Sequence, residues 1–227
     1  MEQNASNATL QSGFCINLEK VGDVLMAQGK VEEALRTYEE SLAIRKSLTD
    51  KDPSNAVWKR GLCSSLEKTG NALMQLGKVD EAQKAYQEAL QIRKTLAEQD
   101  ASNISARNDL STVLEKLGEV YLSQGKVEDA FGFYTESSKI RQDLANEDPG
   151  NIDWQKALAR VLEQLGRVAE RQGDGVRAKE YYQKSLEVHP KLNSNAGNNE
   201  NQIGIQGRPE ALGVPSKKRS KDSLATP

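Results

Sequence analysis

A segment of five residues recurs four times along this chain, and each copy starts 48 residues after the one before it. The four copies are Leu18-Glu-Lys-Val-Gly22, Leu66-Glu-Lys-Thr-Gly70, Leu114-Glu-Lys-Leu-Gly118 and Leu162-Glu-Gln-Leu-Gly166. Repeats of about 20–50 residues are typical of solenoids, whose units bury their apolar faces only by stacking on their neighbours. The repeat therefore predicts an elongated array that holds other molecules on its surface, and it argues against a catalyst.

The composition indicates an all-α protein. Charged residues make up 28% of the 227 residues and aromatic residues 5%, while helix-forming Ala, Leu, Glu, Lys and Gln are abundant. No apolar stretch reaches the ~18 residues that a membrane span needs, and the first residues lack the features of a secretory signal, so we expect a cytoplasmic protein with no membrane partner. Residues 191–227 carry six basic and three acidic side chains, whereas the other residues carry 25 and 30. An acidic body argues against binding to nucleic acid.

Two kinds of break divide each repeat into a first helix, A, and a second helix, B. Glycine separates A from B at four equivalent positions, where a residue with positive φ can end a helix. These glycines are Gly29, Gly77, Gly125 and Gly173. The second break falls at residues 52–55, 100–103 and 148–151, each of which starts with Asp and ends with Asn, a good N-cap. Each repeat is therefore predicted to be a helical hairpin with helices about 30 Å long.

Small and aromatic residues also follow the repeat. A glycine in the middle of a helix costs ~1 kcal/mol relative to alanine, so its recurrence predicts a close approach of helix B. We expect alanines of helix B to face these glycines, and tyrosines four residues later to fill the space between hairpins as core residues. The three sets are Gly22, Gly70, Gly118 and Gly166; Ala34, Ala82, Ala130 and Ala178; and Tyr38, Tyr86, Tyr134 and Tyr182.

No catalytic, cofactor or metal motif is recognisable. The sequence has no glycine-rich phosphate loop and no His-Glu-x-x-His helix, and two cysteines with one histidine cannot form a zinc site of the usual kind. Cys15 and Cys63 occupy equivalent positions of successive repeats, too far apart for a disulfide, and are interpreted as small packing residues. His189 precedes Pro190 and is interpreted as part of a helix terminus. The prediction is a protein that is not an enzyme, with no cofactor and no metal.

The pattern resembles the tetratricopeptide repeat. That family combines Leu-Gly and a following aromatic residue with Ala-x3-aromatic and a closing proline. The third repeat matches with Leu117-Gly118-x-x-Tyr121 and Ala130-x3-Tyr134, and Pro190 stands where the closing proline is expected. The repeat is longer here than the family's usual length of about 34 residues, in a way similar to the lengthened repeat of kinesin light chain. The resemblance implies a right-handed superhelical solenoid of four helix-turn-helix repeats.

The repeat register sets the predicted boundaries. Residues 7–190 form the array, divided into 7–54, 55–102, 103–150 and 151–190. Before it lies a linker-like segment, 1–6, because residues 2–7 mirror residues 98–103. Residues 191–227 are predicted to be a disordered basic tail. It is a solubilising tail, a nuclear import signal, an electrostatic tether, or an internal competitor that folds back on the acidic body. Helix A1 (the first helix A) carries Leu10, Phe14 and Ile16 without the polar outer face of a capping repeat. The array is then part of a longer one, or pairs with a second copy, or has a weak cap.

The resemblance also implies a binding surface, because ligands of tetratricopeptide arrays usually lie in the concave groove lined by the A helices. By register, the groove positions are Glu19, Asp23 and Met26; Glu67, Asn71 and Met74; Glu115, Glu119 and Leu122; and Arg160, Glu163, Arg167 and Arg171. The first three hairpins would present an acidic ladder and the fourth a basic end. Such a groove suits a basic peptide with apolar anchors. The alternative is an ordinary solvated face, with glutamates beside Lys20, Lys68 and Lys116.

The predicted function is therefore a non-catalytic scaffold or adaptor that binds a protein, peptide or helix in this groove. Two other functions remain open at the level of sequence. The chain is a self-associating structural protein that pairs through helix A1, or a regulatory module of a signalling enzyme on another chain.

Overall fold

The structure, a computed structural model, consists of eight α-helices that form four hairpins in succession. It describes residues 2–188, with side chains from Asn7 onward, and contains no strand within that range. The helices are α1 (Glu2–Ala27), α2 (Val31–Lys51), α3 (Ala56–Gln75), α4 (Val79–Gln99), α5 (Ile104–Ser123), α6 (Val127–Glu147), α7 (Ile152–Arg171) and α8 (Gly175–Val188). Odd-numbered helices are the A helices of the repeats and even-numbered ones the B helices. The predicted all-α solenoid is confirmed; the predicted tail, 191–227, and Pro190 lie outside the described residues.

Glycine ends each A helix in the way that the sequence predicts. The four turn glycines have φ between 72° and 78°, and no other described residue has a positive φ. They are Gly29, Gly77, Gly125 and Gly173. Around the first of these turns, the Gly29 amide donates to the Met26 carbonyl at 3.0 Å and the Lys30 amide donates to the Leu25 carbonyl at 2.9 Å. These two bonds use carbonyls that the helix end would otherwise leave unpaired. A tight hairpin follows at the same place in every repeat.

Asparagine begins each later A helix. The Asn55 side chain accepts hydrogen bonds from the amides of Val57 and Trp58, and Asn103 and Asn151 cap α5 and α7 in the same manner. The aspartate that opens each break folds the linker: Asp100 Oδ1 accepts from the Ser102 amide at 3.1 Å and from its hydroxyl at 2.6 Å. The breaks are thus held by local side chain–backbone bonds, which explains why they are visible in the sequence.

Residues 1–6 were predicted to be a linker, and here the structure differs, because α1 is helical from Glu2. The prediction rested on likeness to residues 98–103. In that segment, Asp100 accepts the hydrogen bonds that turn the chain, and the equivalent position in the first segment is Asn4. With neither an Asp turn nor a proline or glycine, residues 2–6 continue the helix.

The core runs along the array as one side of each helix packs on its neighbours. One buried cluster extends from Ala34 in α2 to Val120 in α5, and a second extends from Ala130 in α6 to Val168 in α7. Each helix packs mainly on the helices before and after it in the chain, and α1 also touches α3. This nearest-neighbour packing is that of a solenoid, in which each inner hairpin is covered on two sides.

The glycines in the middle of the A helices face tyrosine rings. A Cβ added at Gly70 would lie 2.7 Å from the Tyr86 ring, and one at Gly118 would lie 2.7 Å from the Tyr134 ring. Gly22 with Tyr38 and Gly166 with Tyr182 repeat the arrangement. Helix B approaches helix A closely, as predicted, but the group of helix B that lies nearest to the glycine is the tyrosine of the same hairpin. The predicted facing residues, Ala34, Ala82, Ala130 and Ala178, are buried without being the groups nearest to these glycines.

Both cysteines are buried packing residues, as predicted, and their thiols are expected to resist modification. Cys15 and Cys63 are fully buried and not disulfide-bonded, and burial raises the pKa of Cys63 to about 12. Because the thiolate is the reactive form, a thiol reagent at pH 8 should modify neither residue in the folded chain but both in denaturant. Cys15 should react first as denaturant rises, because α1 has a neighbouring hairpin on only one side. Rapid labelling of Cys63 in the folded chain would contradict this packing.

Candidate binding groove

The predicted groove positions lie on one face of the A helices, and several of them line a common cleft of about 460 Å³. The cleft spans α1, α3 and α5. Its predicted lining residues are Asp23, Met26, Asn71, Met74 and Glu119, and it also includes Tyr38, Lys68, Gln75, Tyr86 and Lys116. The repeat register thus places like positions of three successive hairpins side by side on this face.

The predicted acidic ladder is only partly an exposed surface, because its glutamates at positions 19, 67 and 115 are buried or half-buried while Asp23 and Glu119 are exposed. Glu19 and Glu115 are only 7% and 8% exposed, and Glu67 is partly buried. Each carboxylate pairs with an arginine 26 residues further along, in helix B of its own hairpin. These pairs are Glu19–Arg45 at 3.4 Å, Glu67–Arg93 at 2.9 Å and Glu115–Arg141 at 2.9 Å. The correction has a physical reason: a buried carboxylate needs a charged partner, and the arginine supplies one inside the hairpin.

Hydrogen bonds complete this network in the third hairpin. Glu115 Oε1 accepts from Arg141 Nε at 2.9 Å and from the Ser137 hydroxyl at 3.1 Å. Arg141 donates in addition to Asn108 Oδ1 at 2.6 Å and to Thr112 Oγ1 at 3.0 Å. The guanidinium therefore joins α6 to three positions of α5. These glutamates connect the two helices of a hairpin and leave little of their charge for a ligand.

The first hairpin's network also reaches the next repeat. Glu19 Oε1 accepts from the hydroxyls of Ser41 at 3.1 Å and Ser65 at 2.8 Å, while Oε2 accepts from Ser64 at 3.0 Å. In the second hairpin, burial raises the pKa of Glu67 even though Arg93 opposes the shift. Arg93 also contacts Asp109 of α5 at 2.6 Å. The charged pairs thus connect hairpins as well as helices.

The groove residue four positions after each glutamate is polar. In the first two repeats, this residue accepts a hydrogen bond from the hydroxyl of a buried tyrosine. Asp23 accepts from the Tyr38 hydroxyl at 2.7 Å and from Lys68 at 2.5 Å. Partial burial acts to raise the pKa of Asp23, but these two hydrogen bonds bring it below its ordinary value. In the next repeat, Asn71 Oδ1 accepts from the Tyr86 hydroxyl at 2.8 Å. The bond fixes the orientation of the Asn71 amide and leaves its NH₂ group as a donor.

The third repeat departs from this arrangement. Glu119 pairs with Lys116 at 3.1 Å, and the Tyr134 hydroxyl is buried with no hydrogen-bond partner in the part of the chain that the structure describes. Met26, Met74 and Leu122 are half-buried at the next register position and give the groove its apolar floor. Methionine side chains adapt their shape to varied contacts.

The predicted basic end of the groove is α7, whose arginines partly pair with carboxylates. Arg160 reaches Glu115 at 3.4 Å, and Arg167 pairs with Glu163 at 2.6 Å. Arg171 is exposed and forms no ion pair with another described residue. Glu115 is already neutralised by Arg141, and Glu163 pairs with Arg167. Arg160 and Arg171 then outnumber the other exposed carboxylate of α7 on this face, Glu170, which accepts from the Tyr182 hydroxyl at 3.0 Å, so this end of the groove keeps a small excess of positive charge.

Sequence reasoning missed two groups of residues. The first is Arg45, Arg93 and Arg141, which repeat with the same 48-residue period as the glutamates and could have been recognised as their partners. The second is Lys68 and Lys116, which the sequence analysis named only in the alternative of a solvated face and which line the cleft. Lys68 also lies over the Tyr38 ring, 5.7 Å from its centre. Both groups were available from the repeat register.

Other kinds of site are not evident in the described region. Residues 2–188 contain no group of three or more His, Cys, Asp or Glu side chains placed to hold a metal ion. Within the same range, no helix has the length and apolar character that crossing a membrane requires. The helical hairpins, stacked with one open face, define this chain as a helical-repeat protein.

Family comparisons identify the repeat. Two family models described as tetratricopeptide repeat match this chain, one over residues 61–143 and the other over residues 18–52. The chain belongs to the tetratricopeptide repeat family, a class of helical-repeat scaffolds for protein interaction. A search of curated proteins found no match to this sequence.

Solved structures share the fold at low sequence identity. BtubC (BKLC) from P. vanneervenii has a TM-score of 0.64 and 20% identity, over 88% of this chain and 70% of that one. The apo form of RapI has a TM-score of 0.62 and 12% identity, over 80% and 58%. The Rap conjugation gene regulator of the plasmid pLS20, solved in complex with the Phr* peptide, has a TM-score of 0.55 and 17% identity, over 80% and 43%. This chain thus corresponds to only part of the two Rap proteins.

Proposed function

We propose that this protein is a non-catalytic adaptor that binds a peptide segment of a partner protein along the groove of α1, α3, α5 and α7. The observation that carries the proposal is the cleft of about 460 Å³, in which three hairpins present equivalent polar and apolar side chains. The likeness to a Rap regulator solved with a peptide supports a peptide as the ligand. Backbone groups of an extended peptide would meet the Asn71 amide, and apolar side chains would rest on Met26 and Met74.

The charges of the groove favour a partner different from the basic one that the sequence predicts. Asp23 is neutralised by Lys68, Glu119 by Lys116, and the glutamates of the ladder by buried arginines. The exposed surplus is positive and lies on α7. We therefore infer a ligand with apolar side chains at the α1–α3 end and acidic side chains at the α7 end, where charge-assisted hydrogen bonds to arginine would form.

Panning a random peptide library on the immobilised full chain tests this proposal. Enriched peptides are expected to combine an acidic cluster with apolar residues and to bind less tightly as salt rises. In fluorescence anisotropy, the double variant Arg160→Glu, Arg171→Glu should weaken binding by about tenfold or more, since each lost bond to a charged group contributes about 1.5–3 kcal/mol.

The matched control is Lys179→Glu, which reverses one exposed charge on α8, outside the groove. It should leave the affinity of the same peptides unchanged. Enrichment of basic peptides, or equal affinity of the acidic peptides for the wild type and the α7 double variant, would refute the inferred direction of the charge. Peptides that bind an Asn71→Ala, Met74→Ala variant as tightly as the wild type would refute the groove as the binding site.

A further inference from the structure

The outer face of α1 carries an exposed apolar stripe that no other A helix has. Leu10, Phe14, Val21 and Val24 are 71%, 50%, 53% and 56% exposed, and Asn17 lies exposed between them. Their spacing alternates between four and three residues, so the five side chains form one row along the helix. The row has the pattern of a helix–helix contact.

The same register positions are buried in the inner repeats. Phe14 corresponds to Leu158 in α7, which is 1% exposed, and Val24 corresponds to Val120 in α5, which is fully buried. In those helices, the covering element is the preceding B helix, which packs against the A helix in every inner repeat. The stripe is therefore the continuation of an interface that the fold already uses, and its chemistry calls for another helix.

The far end of the array is poorly suited to cover it. The outer face of an inner B helix contributes apolar residues such as Val127 and Phe131 of α6, which pack against the core cluster. The equivalent positions of α8 are Gly175 and Lys179, and the apolar residue that this face of α8 keeps in register with the buried Leu90 is Leu186, which is 60% exposed. Head-to-tail stacking of two chains would thus place a lysine and a glycine against the stripe. The glycine offers little apolar surface, and the lysine would lose hydration of its charge. A second α1 is a better match.

The stripe is complementary to itself in antiparallel orientation. If two α1 helices pair about Asn17, Leu10 of each faces Val24 of the other and Phe14 faces Val21. The two Asn17 amides meet at the centre, where each can donate and accept, and such a polar pair fixes the register of an apolar seam. Residues 7–18 contain no charged side chain, and Lys20 lies at the edge of the stripe with room to extend into water.

We propose that α1 is a self-association surface through which two copies of this chain form an antiparallel, two-fold symmetric dimer. The inference is independent of the proposed peptide binding. On the helix, the groove residue Asp23 lies roughly 140° around the axis from the stripe, since each residue turns the helix by about 100°. Pairing leaves both grooves open, so the dimer would present two of them and could bind a partner with two peptide segments more tightly than one chain could.

Sedimentation velocity of the full chain through the micromolar range tests the dimer. The mass should approach that of two chains as concentration rises, and Val21→Asp should return it to one. Val57→Asp and Val176→Asp are matched controls, because both valines are exposed, at 65% and 74%, but lie on α3 and α8. A single-chain mass throughout the range overturns the proposal, as does dissociation by Val176→Asp but not by Val21→Asp.

Disulfide cross-linking distinguishes the orientation. Under mild oxidation, Asn17→Cys should form a covalent dimer in high yield, whereas Leu10→Cys should not, because the two copies of position 10 lie ~21 Å apart along the axis and a disulfide needs Cα atoms within ~7 Å. A mixture of Leu10→Cys and Val24→Cys chains should cross-link. The wild type is the blank, because Cys15 and Cys63 are buried. Equal yields at positions 17 and 10 would overturn the antiparallel arrangement.

Discussion

Replacing Glu115 with alanine is expected to lower the free energy of unfolding by about 3–5 kcal/mol, because it leaves a buried guanidinium without its counter-charge. Arg141 is 4% exposed, its Nε donates to Glu115, and a second guanidinium nitrogen lies 2.9 Å from the same carboxylate. Its remaining bonds, to Asn108 and Thr112, are to neutral groups that do not replace a carboxylate. Small helical domains are stable by only about 5–15 kcal/mol, so the variant should unfold at much lower urea concentration, as followed by circular dichroism.

Two further variants make this result specific. Glu119→Ala removes a carboxylate from the same helix, but that carboxylate is exposed and pairs with Lys116 across one turn, so its loss should change stability by about 0.5 kcal/mol or less. The double variant Glu115→Leu, Arg141→Met removes both buried charges and should recover most of the lost stability. If Glu115→Ala and Glu119→Ala had equal effects, the ladder would be exposed surface, as the sequence alone suggests.

The division of the chain into hairpins was predictable because its signals are local. Asn103 caps a helix with its own side chain, and Gly125 adopts the positive φ that ends one, so both act within a few residues of themselves. The 48-residue period then removes the ambiguity that any single break would carry. The segment 2–6 shows the limit of such reasoning, because it is helical although it closely resembles the linker at residues 98–103.

The groove was less predictable because burial depends on partners distant in sequence. A helical register places Glu115 on the concave side of α5 but does not reveal that Arg141, 26 residues later, meets it inside the hairpin. The groove therefore exposes less negative charge than the sequence alone suggests. Asn71 and Met74, which the register assigned to the groove, line the cleft. What they bind stays a prediction.

Replacing Gly118 with alanine is expected to destabilise the protein by about 1–3 kcal/mol, although alanine is the better helix former. The new methyl group would lie 2.7 Å from the Tyr134 ring, which is 1% exposed and therefore has little room to move. Overpacking of this kind forces the ring or the helix to shift. The gain of ~1 kcal/mol in helix propensity offsets only part of that cost.

The same hairpin offers a control for this substitution. Gly132 lies within α6, and a Cβ added there meets no atom within 4 Å, so Gly132→Ala should stabilise the protein by up to ~1 kcal/mol. The two Gly→Ala changes should therefore shift the urea midpoint in opposite directions. In a background of Tyr134→Leu, Gly118→Ala should lose most of its penalty, giving a coupling energy of about 0.5–3 kcal/mol between the two positions. A stabilising Gly118→Ala in the wild-type background would mean that the tyrosine ring does not rest on this glycine, and that the repeated Leu-Gly signature serves some purpose other than the close approach of the two helices.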